Sequence, residues 1–287
     1  MKRFLLFLLA TVLTLQCMAG MVRKAEEQDT LRVLAIGNSF SEDAVEQYLY
    51  ELARESGVEL IIGNAYRGGQ GLESHWREVR SNGHSFAYRK IVDGVRIDTK
   101  GQSLATIITD EAWDLITLQQ VSQDSGRPET YEPFLGYLIG YVWALATNPN
   151  VKLGFHQTWA YAKDTTHGGF VNYGRDQTAM YTAIVDAVSK AVARHAELSF
   201  VGPSGTAIQN ARATALGDNL TRDSYHLDYG IGRYIAACTW LEAVTGKSAV
   251  GRKFRPKGTD EKRAALCQQA AHDAMVNLKE IKFPSLY

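Results

Sequence analysis

The stretch LRVLAIGNSF, residues 31–40, decides the fold class of this chain. Residues 31–36 form a short, largely apolar run of the length expected for a buried strand, and a Gly-Asn turn follows it. Residues 42–56 then carry apolar side chains at helical spacing. The sequence therefore predicts a strand, a turn and a helix, with Ser39 just beyond the carboxyl end of the strand.

The same alternation continues along the chain. Further strands are predicted at 58–62, 115–118, 151–156 and 198–201, and further helices at 72–79, 134–146, 178–195, 229–245 and 260–281. Strands that alternate with helices at this spacing indicate an α/β fold whose parallel sheet is covered on both faces. Ligands of such sheets bind beyond the carboxyl ends of the strands, where Ser39 lies.

Residues 88–98 interrupt the alternation. Two strand-like arms flank Asp93-Gly94, a strong signal for a two-residue hairpin turn. We therefore expect a β-hairpin inserted in the α/β core over about residues 86–99. Because no repeat, low-complexity tract or linker interrupts the rest, a single domain over residues 28–287 is the simplest organisation.

The composition limits the classes of partner. The chain has 287 residues, of which 45% are hydrophobic and 22% are charged, as in an ordinary globular protein. Its formal net charge is zero and no basic stripe runs along it, so nucleic acid is not an expected partner.

Residues 1–20 predict an export signal. Lys2 and Arg3 precede an apolar segment at 4–15, and small residues near Cys17 offer a cleavage site. We expect an exported mature protein, periplasmic or secreted, without an integral membrane span. In a second interpretation Cys17 is the lipidated cysteine of a bacterial lipoprotein, and in a third the segment stays as an uncleaved membrane anchor.

Two cysteines remain in the mature chain, Cys238 and Cys267, both on apolar faces of predicted helices. Export would permit a disulfide between them, and buried free thiols are an equally open alternative. Neither cysteine belongs to a C-x-x-C motif or to another metal-ligand spacing, so we expect no metal and no cofactor.

Ser39, Asp223 and His226 are the candidate catalytic residues. Histidine is the natural general base near neutral pH, and an acid three residues before it can hold its ring. The order Ser…Asp…His supplies the three groups that acyl transfer from an ester requires. Structural roles stay open, since Ser39 could merely cap the following helix and Asp223 could cap the helix at 229–245. Asp228 is a competing acid that lies closer to that helix.

Three short blocks resemble those of the SGNH (GDSL-type) hydrolase superfamily. G-N-S at 37–39 resembles its G-D-S block, NAYRGG at 64–69 resembles its glycine block, and D-x-x-H at 223–226 resembles its final block. Together with LQQVS at 118–122, these blocks resemble a divergent exported branch found in gut Bacteroidetes, the DUF4886-like proteins. The resemblance covers about residues 30–245.

The resemblance implies a three-layer sandwich around a mainly parallel, flavodoxin-like sheet. It also implies that Ser39 is the nucleophile, that His226 takes its proton, and that Asp223 orients His226.

The resemblance further implies an oxyanion hole made by the backbone N–H groups of Ser39 and Gly69 and by a side-chain amide. The chain departs from the superfamily at this third block, G-x-N-D, whose place is taken by VSQD at 121–124. Gln123 in that segment and the neighbouring Gln119 and Gln120 are the candidate amide donors, because glutamine can donate to an oxyanion as asparagine does.

Trp159 is the candidate substrate-binding residue. It follows the strand predicted at 151–156 and could stack on a sugar or line an acyl pocket, or it could pack as an ordinary loop aromatic. We expect the remaining histidines, His75 and His167 among them, to lie on the surface or in loops.

These residues predict an exported serine esterase that works through a Ser-His-Asp acyl-enzyme. Family analogy suggests a glycan ester, with deacetylation of carbohydrate as the first interpretation, and a small-molecule ester as the wider class. The alternatives are a non-catalytic glycan-binding protein on the same fold, a lipid or other acyl ester hydrolase, and an acyltransferase. Hydrogen-bond reach between Ser39 Oγ and His226 Nε2 would favour an enzyme over a binding protein.

Overall fold

The computed structural model describes residues 30–278, and strands alternate with helices through most of this range. Its strands are β1 (Leu31–Gly37), β2 (Leu60–Tyr66), β3 (Phe86–Val92), β4 (Val95–Gln102), β5 (Leu115–Leu118), β6 (Lys152–His156) and β7 (Leu198–Gly202). Its helices are α1 (Ser39–Val45), α2 (Leu49–Glu55), α3 (Leu72–Arg80), α4 (Leu104–Asp110), α5 (Phe134–Leu145), α6 (Gln177–Arg194), α7 (Ser204–Arg212), α8 (Ile231–Thr245) and α9 (Glu261–Asn277). Short 3₁₀ helices lie at Ser122–Asp124, Pro128–Thr130 and Gly168–Tyr173.

The strands of the described range form one sheet in the order β4-β3-β2-β1-β5-β6-β7. From β2 to β7 all neighbours are parallel, which confirms the predicted α/β fold with a mainly parallel, flavodoxin-like sheet. Because β1 lies between β2 and β5, the winding of the chain reverses at the end of β1. This reversal is the switch point at which sheets of this kind bind ligands.

The predicted hairpin is present as β3 and β4, and it extends the sheet beyond β2 as two antiparallel strands. Asp93 has φ 51° and Gly94 has φ 74°, as a two-residue turn with two left-handed residues requires. The hairpin runs to Gln102, a little beyond its predicted end. Arg89 on β3 contacts Glu42 on α1 at 2.8 Å, which ties this edge of the sheet to the helix that carries Ser39.

Helices cover both faces of the sheet. α1, α2, α7, α8 and α9 pack together on one face, and α3, α4 and α5 pack together on the other. Between them lie the buried apolar side chains of the central strands, among them Leu34, Ile36, Ile116 and Phe155. Each such side chain contributes about 2 kcal/mol of transfer free energy, so the three-layer core fixes where the strand ends lie.

The single helix predicted at 42–56 is wrong. The structure has two helices, α1 and α2, because Tyr48 adopts a left-handed conformation with φ 74° that ends the helical hydrogen-bond pattern. The Tyr48 hydroxyl donates to the Tyr229 carbonyl, which holds this break against the segment before α8. The short helices α4 and α7 were also not predicted, since β-branched residues dilute the helical pattern in the first and Ser204-Gly205 opens the second.

His75 was expected on the surface or in a loop, and the structure places it in the core on α3. Its ring is buried, stacks on Phe86 with centroids 5.4 Å apart, and has no hydrogen-bond partner for either nitrogen within the described range.

Cys238 and Cys267 are buried free thiols, which is one of the two states expected from the sequence. Burial raises the pKa of the Cys267 thiol to about 12, so it stays protonated. The predicted signal segment at 1–20, with Cys17, lies outside the described residues. None of the helices in residues 30–278 combines the length and the apolar character needed to span a bilayer.

Candidate active site

Ser39, His226 and Asp223 meet at the carboxyl edge of the sheet. Ser39 Oγ lies 2.8 Å from His226 Nε2, and His226 Nδ1 lies 2.7 Å from Asp223 Oδ2. Because a carboxylate only accepts hydrogen bonds, Nδ1 carries the ring proton and Nε2 presents its lone pair to the Ser39 hydroxyl. The structure therefore brings the three predicted catalytic residues together in the arrangement by which a histidine can take a serine proton.

The turn after β1 presents Ser39 as the first residue of α1. Asn38 caps this helix, since its Oδ1 accepts the Phe40 N–H at 2.9 Å. Ser39 is thus not needed as a cap, and its hydroxyl is available to His226. Gly37 is required because a Cβ at this position would lie only 2.7 Å from the side chain of Gln119.

Asp223 and His226 occupy a tight turn before α8. The Arg222 N–H donates to the His226 carbonyl at 2.9 Å, and Asp223 Oδ1 accepts the His226 N–H at 2.7 Å. Burial opposes ionisation of Asp223, but the hydrogen bonds from His226 outweigh it and lower the Asp223 pKa, so this carboxyl is ionised near neutral pH. The competing acid, Asp228, instead accepts two backbone N–H groups at the start of α8.

Trp159 lies beneath the Asp-His turn and not in the cleft. Its ring is fully buried and stacks on Phe40 with centroids 4.3 Å apart, and its Nε1–H donates to the Tyr225 carbonyl at 2.8 Å. The predicted substrate-binding role of Trp159 is therefore wrong, because neither ring face is open to a ligand. Trp159 instead supports the turn from below, which is the packing alternative considered from the sequence.

A buried ion-pair cluster joins α1 to the Asp-His turn. Asp43 is fully buried, lies 2.9 Å from Arg222 Nη1 and 2.6 Å from Arg233 Nη2, and accepts the Leu227 N–H at 2.8 Å. Arg222 and Leu227 flank Asp223 and His226, so Asp43 holds both ends of the turn against the helix that carries Ser39. Sequence analysis did not find this cluster, since 184 positions separate Asp43 from Leu227.

The two predicted backbone donors of the oxyanion hole line the same cleft. The N–H groups of Ser39 and Gly69 have no acceptor within residues 30–278. The Ser39 N–H is one of the free donors that begin every helix. Gly69 has φ 67°, a left-handed conformation that a glycine adopts without a steric penalty.

A chain of oriented hydrogen bonds, the amide relay, supports the Gly69 loop from the core. Ser204 Oγ donates to His156 Nε2 at 3.0 Å, and His156 Nδ1 donates to Gln119 Oε1 at 2.9 Å. Gln119 Nε2 then donates to Asn38 Oδ1 at 2.8 Å, and Asn38 Nδ2 donates to the Gln70 carbonyl at 2.8 Å. The directions follow from the Gln70 end, because a carbonyl can only accept. Burial lowers the pKa of His156 to about 3, so its ring is neutral.

The relay was not predicted from the sequence, although a signal for it exists. Asn38, Gln119 and His156 are polar residues at the ends of the adjacent parallel strands β1, β5 and β6. Strand ends of this kind meet at one edge of the sheet, so consecutive polar endings predict contact between these side chains.

The three candidate glutamines have different places, and Gln119 lies in the amide relay, where its Nε2 donates to Asn38. Gln120 Oε1 accepts the Leu72 N–H at 3.1 Å and the Val121 N–H at 2.9 Å, and its Nε2 donates twice to Thr130 at 3.1 Å. Both amide hydrogens are thus engaged, and the predicted role of Gln120 as an oxyanion donor is wrong. Gln123 lines the cleft, and its side-chain amide has no hydrogen-bond partner in the described part of the chain, so it is the glutamine with a free donor.

The cleft has a volume of about 320 Å³, and His167 forms part of its wall. His167 Nδ1 accepts the Gly169 N–H at 3.0 Å, which leaves the proton of the neutral ring on Nε2. Burial, and then the charge of a protonated His226, lower the His167 pKa. His167 was expected without an evident partner, and the structure gives the cleft a neutral imidazole as a further hydrogen-bond donor.

The sequence between residues 32 and 274 matches a family model described as a domain of unknown function, DUF4886. The chain belongs to the DUF4886 family. A crystal structure of a DUF4886 family protein from Bacteroides uniformis ATCC 8492 is 45% identical to the chain and superposes with a TM-score of 0.85. The similarity covers 89% of this chain and 98% of that one.

The DUF4886 fold is also similar to that of the SGNH hydrolases. A protein from Slackia heliotrinireducens that is proposed to be an SGNH hydrolase superposes with a TM-score of 0.51 at 19% identity. The similarity covers 75% of this chain and 99% of that one, and at this identity it concerns the fold alone. No curated protein sequence matches the chain.

Proposed function

We propose that this DUF4886 protein is a serine esterase that hydrolyses its substrate through a Ser-His-Asp acyl-enzyme. The observation that carries the proposal is the 2.8 Å separation of Ser39 Oγ from His226 Nε2, with Asp223 Oδ2 2.7 Å behind the ring. These distances lie within the reach that general-base catalysis needs. A binding protein that had lost turnover would have no need to hold a neutral imidazole against a serine hydroxyl.

In the first half of the proposed reaction, His226 takes the Ser39 proton while Ser39 Oγ attacks the ester carbonyl. The imidazolium that forms is stabilised by the ionised Asp223. His226 then gives the proton to the departing alcohol, which leaves the acyl group on Ser39. In the second half, His226 activates a water that attacks the acyl-enzyme, and the acid is released.

The negative charge that develops on the carbonyl oxygen would be held by the N–H groups of Ser39 and Gly69. The free Gln123 amide is the proposed third donor, in place of Gln120. Donors that are already oriented contribute most, and removing one costs about 10²–10³ in turnover in comparable sites. The amide relay serves this purpose, because Asn38 fixes the Gln70 carbonyl beside Gly69.

We propose a carbohydrate ester, and deacetylation as the reaction on it. A cleft of about 320 Å³ lined by Gln123, His167 and Tyr66 suits a short acyl group on a polar alcohol better than a long lipid chain. Export is part of the proposal and rests on the signal segment predicted at 1–20.

The test is p-nitrophenyl acetate turnover by residues 21–287, with Ser39→Ala and His226→Ala beside the exposed controls Ser81→Ala and His84→Ala. Because the triad acts as a unit, we expect each catalytic variant to lose activity by about a thousandfold or more and the controls to keep it. Absence of turnover in the folded wild type, or turnover indifferent to Ser39, would contradict the proposal and make glycan binding the next assay. Repeating the assay with an added acceptor alcohol distinguishes a hydrolase from an acyltransferase.

A further inference from the structure

A second cavity opens beside the catalytic cleft. It has a volume of about 390 Å³, and Gly69, Val121 and Gln123 line both spaces. Gln123 therefore stands between the two. The two spaces therefore adjoin along one wall, and we call the second one the side cavity.

The side cavity is acidic. Glu73, Asp124 and Glu129 line it, and among the described residues that form its wall there is no Lys or Arg. Arg77 pairs with Glu73, and Arg127 pairs with Asp124 and Glu129, but each carboxylate keeps further lone pairs. Carboxylates accept hydrogen bonds from hydroxyl groups and repel anions. The wall therefore suits a neutral, hydroxyl-rich group.

The side cavity ends at two helices that carry aromatic rings. Glu73 on α3 and Phe134 on α5 line it, and one turn further along these helices lie Trp76 and Tyr137, on the same faces. The Trp76 and Tyr137 rings are in contact, with centroids 5.0 Å apart, and Tyr141 lies edge-on to Trp76 at 6.5 Å. We call these three residues the aromatic platform. Trp76 and Tyr137 each lie three residues beyond a residue that lines the side cavity, a rise of about 4.5 Å along the helix axis.

The aromatic platform reaches solvent through Tyr137, while Trp76 and Tyr141 also pack against the hydrophobic core. Tyr137 is 48% exposed, and Trp76 and Tyr141 are only partly buried. Packing between α3 and α5 does not require a ring that leaves half of its surface in water, whereas adjoining exposed apolar groups beside a cleft are typical of ligand sites. The C–H face of a sugar ring packs on an aromatic ring, while the hydroxyl groups at its edge stay hydrated or reach a carboxylate.

We propose that the catalytic cleft, the side cavity and the aromatic platform form one binding track for a neutral oligosaccharide that carries the ester. The acyl group lies at Ser39, neighbouring sugar units lie in the side cavity, and a further unit packs on Trp76 and Tyr137. The inference rests on the proposed esterase function and adds to it the length and the charge of the substrate.

The experiment compares kcat/KM for acetylated xylo-, manno- and gluco-oligosaccharides of five units with that for the acetylated monosaccharides, and uses p-nitrophenyl acetate as an ester without a glycan. For the wild type we expect at least one pentasaccharide series to exceed its monosaccharide about tenfold or more. Trp76→Leu and Tyr137→Leu keep an apolar contact between α3 and α5 but remove the flat rings. Each is expected to lower kcat/KM for that pentasaccharide about tenfold, mainly through KM, without changing p-nitrophenyl acetate turnover.

Trp143→Leu is the matched control. Trp143 also lies on α5 and is 47% exposed, but it lines a different cavity, with His195 and Glu197. Equal kcat/KM for five units and one in all three series would overturn the binding track. The binding track would also be overturned if the Trp76 and Tyr137 variants kept the same kcat/KM for the pentasaccharide as the Trp143 variant, with p-nitrophenyl acetate turnover intact in all three.

The failure of the esterase proposal is seen separately. If p-nitrophenyl acetate turnover is absent or does not depend on Ser39, the enzyme is excluded, and binding of unacetylated pentasaccharides, measured by tryptophan fluorescence, then decides the track. Binding that Tyr137→Leu weakens and Trp143→Leu does not supports it, and absence of binding overturns it. An acetylated uronic acid pentasaccharide turned over as fast as a neutral one would overturn the charge argument.

Discussion

Ser39 Oγ and His226 Nε2 lie 2.8 Å apart, although 187 positions separate the two residues in sequence. The contact depends on two loops, the turn after β1 and the Asp-His turn before α8. Asp43 joins these loops through Arg222 and Leu227, and Trp159 supports the second from below. Residues that take no part in the proposed reaction, Asp43 and Trp159 among them, therefore hold Ser39 and His226 within hydrogen-bond distance.

Asp223→Asn should lower kcat for p-nitrophenyl acetate about 10³–10⁴-fold with little change in stability. The amide can donate to His226 Nδ1, so the ring proton moves to Nε2 and the lone pair that faces Ser39 is lost. Steady-state kinetics and urea unfolding check this, with the exposed Asp164→Asn as control. A variant that keeps more than a tenth of the wild-type kcat would show that Asp223 does not set the tautomer.

Gln123→Ala and Gln120→Ala should separate a donor to the oxyanion from a structural amide. Gln123→Ala is expected to lower kcat about 10²–10³-fold with little loss of stability, because the Gln123 amide is otherwise unbonded. Gln120→Ala is expected to cost about 2 kcal/mol or more of unfolding free energy, because it leaves buried backbone N–H groups unpaired. Paired kinetic and urea-unfolding measurements test both, and the reverse pattern would exchange the two roles.

Asp43→Asn should lower the unfolding free energy by about 3–5 kcal/mol, because it leaves Arg222 without its buried counter-charge and Arg233 with Glu42 alone. We also expect a loss of kcat, since the Asp-His turn loses its tie to α1. Asp186→Asn, which breaks an exposed pair with Lys190, is the matched control and should cost less than about 1 kcal/mol. Equal stability of the two variants in urea would exclude the proposed tie.

The stability of the fold should decrease as pH falls below about 6.5. Burial, joined for His75 by the positive charge of Arg67, lowers the pKa values of His75 and His156 to about 3. Between about pH 6.5, the ordinary pKa of histidine, and about pH 3, the unfolded chain binds protons at these two histidines that the folded chain does not. At pH 5 this lowers the free energy of unfolding by about 2 kcal/mol per histidine. Glu46, a carboxylate whose pKa burial raises, acts in the opposite sense.

His75→Phe should therefore reduce the loss of stability between pH 7 and pH 5 by about 2 kcal/mol, since it removes one of the two contributions. Urea unfolding at pH 7, 6 and 5 measures this difference, with the exposed His84→Phe as control. The same pH dependence in wild type and His75→Phe would mean that His75 is already protonated or hydrated in the folded state.

The fold and the residues of the candidate triad could be predicted because they depend on local pattern. The strand at 115–118 follows from its apolar run, and the hairpin follows from Asp93-Gly94. Ser39 and His226 can be recognised because each lies in a short local motif, a turn after a strand for Ser39 and a D-x-x-H spacing for His226. Ser39 is placed at the sheet edge by the end of β1, whereas the position of His226 depends on the turn before α8.

The roles of neighbouring polar and aromatic residues could not be predicted in the same way. Gln119 and Gln120 are adjacent in sequence, yet one joins the amide relay and the other bonds to Thr130, because successive side chains leave a strand end in opposite directions. Trp159 and His75 are buried by helices from distant parts of the chain. A sequence pattern shows that such side chains are large or polar, but not what will cover them.

The amide relay restricts which residue can stand at position 38, because Asn38 contacts both Gln119 and the Gln70 carbonyl. Asn38 accepts from Gln119 and donates to the Gln70 carbonyl, so aspartate, which cannot donate, would set two oxygen atoms against each other at position 70. A double-mutant cycle between Asn38→Asp and Gln119→Glu, whose acid form could supply one proton, would measure this coupling. The asparagine of Gly-Asn-Ser is thus held by its hydrogen-bond partners, and a change to Gly-Asp-Ser would require the Gln70 carbonyl to move away from position 38.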